Sequence, residues 1–410
     1  MEKLHKLVIG ATSLLYFECY KYKLKAKGHE EKMYEHNEDT VAIIDLTRKL
    51  VEKHQRPLER RVLRGETLTD EDFHAGTQEA KELGLWGLTA PDELGGAGIS
   101  VVDYLAIIEE VSKCIVPVRF GGSCPLPNLY ALEGEQKARY LDPILEGSKK
   151  LCFAQSESNG ASDPARNIKT RAKQDGDNWV INGSKVWISN FSNADFVFVV
   201  ARTDSDSSKG AGGISMLTVE KDNPGMIARE VRMLGTHITH ELTFDDCRVD
   251  SLALIGSEGS GFAGAQKSLS AARFEVGARA VGQAQQCYDM MVDFAKEREL
   301  FGGPLSEKQA IQGMIVDSWV EIQQHRLMLY NCAEKVDRGD DTRREAALVK
   351  MTCTEMADRV IDRAIQVHGG HGCTYESPLA HLYDAARLAR IYEGPTEVHK
   401  YRVLARQLLR

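Results

Sequence analysis

Three stretches of the 410-residue chain gather residue types that do chemistry. In Ile391-Tyr392-Glu393-Gly394-Pro395-Thr396, Gly394 ends one helix and Pro395 suits the first position of the next. Glu393 therefore stands in a connection beside a helix start, where a carboxylate acts as a general base or simply as a charged hinge; spacing does not choose between these. The run Ser156-Glu157-Ser158-Asn159-Gly160-Ala161-Ser162-Asp163 follows the apolar Leu151–Ala154. It reads either as a plain solvent loop or as a cradle of hydroxyl and N–H groups for a polar cofactor edge. Gly259-Ser260-Gly261-Phe262-Ala263-Gly264 has dinucleotide spacing but lacks the βαβ context, so a flexible helix entry is predicted. His237-x-x-His240 and His368-x-x-His371 lack metal-site spacing, and no metal is predicted.

The elements that position these groups fall into three textures. Residues 38–150 read as helices: Val41, Ile44, Leu46 and Leu50 recur near helical spacing, Ser100 caps a helix through Val111, and a further helix holds Glu135 to Leu145. Residues 151–258 carry short β-branched runs, with Asp175-Gly176 and Asn182-Gly183 both read as two-residue hairpin turns, which predicts an antiparallel barrel or sandwich. Residues 259–410 return to long helices with short breaks, a bundle pattern.

Residues 1–37 form an extension. Its apolar run Leu7–Phe17 is too short to span a membrane, and it reads as an ordinary helix or as a targeting or membrane-surface segment. Lys plus Arg number 52 against 60 Asp plus Glu, a net charge of -8 that argues against nucleic acid as a partner. Nine cysteines without a CxxC pair predict a reduced, intracellular protein.

In order along the chain stand Leu83-Gly84-Leu85 with Gly95-Gly96-Ala97-Gly98, Glu135-Gln136-Lys137, the Ser156–Asp163 loop, and Lys185 with Trp187-Ile188-Ser189. Phe244-Asp245-Asp246, Glu297-Arg298 with Phe301-Gly302, Gln366-Val367-His368-Gly369-Gly370 and Tyr392-Glu393-Gly394 follow. With these landmarks the sequence resembles the acyl-CoA dehydrogenase family from about residue 40 to 410. Its Gly394-Pro395-Thr396-Glu397-Val398-His399 ending resembles the branch of the mammalian members ten and eleven.

The resemblance implies a mostly α protein with an N-terminal helical domain, a central antiparallel β-barrel and a C-terminal four-helix bundle. It implies FAD as cofactor, an acyl-CoA substrate, an electron-transfer flavoprotein as partner, and a homodimer or homotetramer. It implies a location in the mitochondrial matrix in a eukaryote or the cytoplasm in a bacterium. By position, Glu393 is the catalytic base; Ser156, Ser162, Trp187, Ser189, Thr396 and Glu397 hold the flavin side; and Arg298, Phe301, Gln309, Gln366 and Gly370 hold a neighbouring subunit's FAD. Ser162, Arg273 and Gly394 meet substrate. Four positions depart from the family pattern: Ser158, Ala161, Ser189 and Pro395. Ala272 occupies the position that holds the base in some subfamilies. A flavin oxidase of the same fold, or a non-catalytic binding or assembly member, stands as the alternative.

Overall fold

The Asn37 side chain accepts the Thr40 N–H and opens α1 (Glu38–Leu50), which runs through a π-helical turn into α2 (Arg56–Leu63). Helix α3 (His74–Glu82) follows. Helix α4 (Val101–Val111) starts at Ser100, whose hydroxyl accepts the Asp103 N–H as the sequence predicts, and every residue from Tyr104 to Val111 is buried. Residues 134–146 are helical, ending in α5 (Asp142–Glu146). Val41, placed on the apolar stripe of α1 by its spacing, is exposed instead.

This computed structural model describes residues 33–116, 127–160, 162–204, 211–235 and 237–409. The expectations for Leu7–Phe17 and for Ala161 lie outside them. Residues His36–Arg410 form one contact unit. Among the described residues, no helix is long and apolar enough to cross a membrane.

The middle region is one sheet of eight strands: β1 (Leu151–Ala154), β2 (Arg171–Asp175), β3 (Asn178–Ser189), β4 (Phe196–Arg202), β5 (Ile214–Glu220), β6 (Met226–Arg232), β7 (Ile238–Val249) and β8 (Leu254–Ile255). The order is β6-β7-β3-β2-β4-β5-β8, with β1 beside β4. Two expectations are corrected here. The sheet is not a closed antiparallel barrel: β6 and β8 remain edges, and β4 pairs in parallel with both β1 and β2. Hairpin signals report antiparallel neighbours only, so the parallel pairings leave no local trace. Asn182-Gly183 is also not a turn. It is a bulge inside β3, where Asn182 exchanges hydrogen bonds with Asp246 of β7 (3.0 and 2.9 Å). Gly183 is required there, because φ is +142° and a Cβ would sit 2.6 Å from Thr170 Cα. The Asp175-Gly176 signal does mark a hairpin, β2 to β3.

Four helices pack after the sheet: α6 (Gly261–Glu297), α7 (Gln309–Asp337), α8 (Arg343–His368) and α9 (Pro378–Ala389). The two-stranded ribbon β9 (Glu299–Leu300) and β10 (Gly303–Pro304) joins α6 to α7. Helix α6 meets α4 so closely that a Cβ on Gly282 would lie 2.1 Å from the Glu109 carbonyl oxygen. Glu109 itself is buried and accepts Arg326 Nε (2.9 Å) and the Tyr330 hydroxyl (2.8 Å), tying α4 to α7. The glycine-rich run before α6 serves packing: a Cβ on Gly261 would meet Ser215 of β5 at 2.3 Å.

Candidate functional site

The chain leaving α9 turns at Glu393 and becomes helical again at Thr396, mostly as a π-helix (Val398–Leu404) rather than the regular helix expected after Pro395. Glu393 has φ of +55°, a conformation a β-carbon disfavours, and it needs outside support. Three cationic or polar side chains from three elements provide it. Arg273 Nε of α6 and His399 Nε2 donate to the Glu393 carbonyl at 3.2 and 3.1 Å. Lys350 Nζ of α8 donates to the next carbonyl, Gly394 O, at 2.5 Å. Because a carbonyl only accepts, His399 carries its proton on Nε2. Burial, then the charges of Arg273 and Lys350, push this imidazole down to about 4, so it is neutral.

With its backbone held, the Glu393 carboxylate is left unspent. Its Oε2 is buried without a hydrogen-bond partner among the described residues, as are Thr396 Oγ1 and His399 Nδ1. Burial raises the Glu393 carboxyl above the usual carboxylate range, with a further push from Glu275, against the pull of Arg273 and Lys350. Lys350 is fully buried, and burial lowers its ammonium to about 8 against the attraction of Glu393. Glu397 is exposed and its charge reaches Lys350. A raised, unpartnered carboxyl flanked by cations has the properties of a proton acceptor.

A second group forms where β1, β3 and the loop after β1 meet. The Val186 N–H donates to Ser156 O (3.0 Å). Under the loop, buried Glu157 accepts Lys185 Nζ (2.7 Å) and the backbone N–H groups of Lys169 and Thr170 (2.7 and 3.0 Å). Burial alone would raise the Glu157 carboxyl, but the Lys185 charge and these bonds hold it below the usual range. Lys185 is itself lowered to about 8 by burial. The clamp fixes the loop to β3 just before Trp187, which sits inside the register shift between Lys185 and Ile188 with φ of +59° and 44% of its surface exposed. Ser189 Oγ lies 3.4 Å from His237 Nε2. Two residues before His237, Gly235 packs on α9 so tightly that a Cβ would lie 2.4 Å from Asp384 Oδ2. The β6–β7 connection thus links Ser189 to the helix that leads into Glu393. Ser162 is exposed in the same loop.

The remaining predicted residues are not brought to Glu393. Arg298 ends α6, Phe301 lies in the β9–β10 turn and Gln309 opens α7, while Gln366 and Gly370 lie at and just after the end of α8; all five are exposed. Phe301 is 93% exposed with φ of +53°. Three of the five non-glycine residues with positive φ among the described residues are thus site residues predicted from sequence: Trp187, Phe301 and Glu393. Lys350, His399 and the Glu157–Lys185 pair were not singled out as site residues. Lys350 had a signal, since helical spacing puts it on the same face of α8 as Ala346, Cys353, Ala357 and Val360, all buried. Among the described residues there is no cluster of metal-ligating side chains.

The chain matches three family models in succession: acyl-CoA dehydrogenase N-terminal domain over residues 37–148, middle domain over 152–247 and C-terminal domain over 259–409. It is 32% identical over 391 residues to the (R)-benzylsuccinyl-CoA dehydrogenase of Thauera aromatica, covering 91% of this chain and 96% of that protein. It is 35% identical over 344 residues to the mitochondrial short-chain specific acyl-CoA dehydrogenase of Mus musculus, 82% of each chain. The solved structure of butyryl-CoA dehydrogenase from Megasphaera elsdenii matches with a TM-score of 0.82 at 30% identity, over 92% of this chain and 100% of that one. Likeness across all three regions, with the carboxylate site held in place between α6, α8 and α9, leads to one conclusion: this protein belongs to the acyl-CoA dehydrogenase family of enzymes.

Proposed function

We propose that the protein removes the α-proton and β-hydride of an acyl-CoA thioester to give the trans-2-enoyl-CoA, passing the electrons to an electron-transfer flavoprotein. The observation that carries this reading is the Glu393 carboxylate, raised, without a partner and held by its own backbone. FAD, the cofactor of the family, supplies the hydride acceptor when bound. The residues present suit it: Trp187 offers an exposed aromatic face, Thr396 a buried hydroxyl without a partner, and Arg298 an exposed guanidinium for a diphosphate. Ser156, Ser162, Ser189 and Glu397 complete the flavin side in this reading.

Glu393 takes the α-proton, which requires its ionised form. The charges of Arg273 and Lys350 favour that form against burial. Arg273 and Gly394 then line the path of the thioester, and closure around the acyl chain excludes water. Because Arg298, Phe301, Gln309, Gln366 and Gly370 are exposed and away from Glu393, they serve the FAD of a second copy in a homo-oligomer. The exposed apolar stripe Val316, Trp319 and Val320 on α7 supports such an assembly.

The test is Glu393→Gln, which keeps size but cannot accept a proton. Anaerobic stopped-flow bleaching of bound flavin by a good acyl-CoA is expected to slow by roughly two to four orders of magnitude, with FAD and acyl-CoA still bound. Equal bleaching rates would move the base elsewhere. Rapid oxygen consumption without an added acceptor would favour the oxidase reading instead.

A further inference from the structure

We propose that Arg279 recognises an oxygen acceptor, in its strongest form a carboxylate, on the distal part of the substrate's acyl group. The enzyme is then selective for acyl-CoA thioesters with a polar far end. This inference rests on the acyl-CoA reading of the Glu393 site and names the substrate class within it.

Helix α6 carries Arg273, Glu275 and Arg279 in succession. Arg273 touches the Glu393 carbonyl. Glu275 has both oxygens occupied: Oε2 accepts the Tyr104 hydroxyl of α4 at 2.9 Å and Oε1 accepts Arg279 Nη2. That bond is the only one Arg279 makes among the described residues, so its Nε and Nη1 N–H groups have no acceptor. The guanidinium is held in place on one side and unfilled on the other.

Arg279 lies near Tyr392, the residue beside Glu393, close enough for the two groups to act on each other's charge. Of the Arg279 side-chain surface, 44% is accessible; burial works against its charge, but the surrounding acidic groups outweigh it and raise the guanidinium above its ordinary value. The charges of Glu275, Tyr392 and Tyr104 act on it, and Glu275 in turn acts on Glu393. Glu275 and Tyr392 thus stand between Arg279 and Glu393, and the proposal places both groups on one acyl-binding space. At the α-helical rise, Arg279 lies about 9 Å along α6 from Arg273, a separation the proposal assigns to the far end of the acyl group rather than to the thioester. A methyl-ended chain filling that space would strip water from unfilled N–H groups and return nothing, which is costly. An oxygen acceptor replaces the lost water, and a carboxylate matches the guanidinium fork.

The test uses pairs of acyl-CoA thioesters of equal length, one ending in a methyl group and one in a carboxylate or hydroxyl, across several lengths. Binding to the FAD-loaded enzyme is measured by calorimetry and turnover by flavin bleaching. At one length the polar-ended member is expected to bind more tightly. Arg279→Met is expected to weaken it by about 10- to 100-fold, while methyl-ended binding holds or improves, which shows that the variant is folded. Arg279→Lys, keeping charge without the fork, is expected to fall between, and carboxylate against hydroxyl separates charge from hydrogen bonding. Tighter methyl-ended binding at every length in the wild type, or an unchanged ratio in Arg279→Met, overturns the proposal. Binding with the expected ratio but no bleaching by any thioester strikes the Glu393 reading and leaves Arg279 supported. No binding of any acyl-CoA overturns both.

Discussion

Replacing Lys350 with Met separates the chemical use of this lysine from its effect on stability. Lys350 is fully buried, and its ammonium is lowered from 10.5 to about 8, led by desolvation. That shift corresponds to roughly 3 kcal/mol of penalty on the charged form. Methionine, similar in length and apolar, removes the penalty but leaves Gly394 O without its donor, at a cost of about 1–3 kcal/mol. The two nearly cancel, so the melting temperature is expected to move by only a few degrees. Any relief is greatest below about pH 8. Between about 8 and 10.5 the unfolded lysine holds a proton the folded one has lost, so wild-type stability from this group rises with pH and the variant's advantage shrinks. Activity behaves differently. Lys350 lowers the Glu393 carboxyl and fixes the carbonyl beside it. Without it, the pH at which flavin bleaching reaches half its maximum is expected to rise. The maximal rate is expected to fall about a hundredfold through misplacement of the base. A folded Lys350→Met enzyme with wild-type bleaching and an unshifted pH profile would refute the clamp.

Lys185→Met strands the buried Glu157 carboxylate and is expected to destabilise the fold by about 3–5 kcal/mol in chemical denaturation. The double variant Glu157→Gln with Lys185→Met should recover much of that loss; if it recovers none, the pair is not what holds the loop. Gly282→Ala drives a methyl group into the Glu109 carbonyl and should cost about 1–3 kcal/mol or more, read as a lowered melting temperature. An unchanged melt would mean α4 yields freely. Acid should release the Glu157 loop: its carboxyl lies below the usual range, so its contribution is full above the unfolded value of 4.5 and is lost as pH falls through the folded one. Tryptophan fluorescence from Trp187 followed down in pH checks this, and a signal that changes only above pH 6 would contradict it.

Much of the backbone plan was written locally. The Ser100 cap, the Asp175-Gly176 hairpin and the order of helical, strand and helical regions depend on neighbours close in sequence, and the structure has all three. Glu393 was legible as a carboxylate in a connection because Gly394 and Pro395 directly follow it. Which role it plays was not, because its free oxygen and raised carboxyl depend on burial and on Arg273, Lys350 and His399, brought from α6, α8 and the C-terminal segment. Asn182-Gly183 has the local chemistry of a turn, and only pairing with Asp246, 64 residues away, makes it a bulge. Glu275 and Arg279 stand four residues apart on α6, a spacing that lets them pair. Tyr104, arriving from α4, occupies the second carboxylate oxygen and leaves the guanidinium a single bond, to the other. Sequence fixes what a side chain offers; long-range packing decides which of its atoms remain free to act.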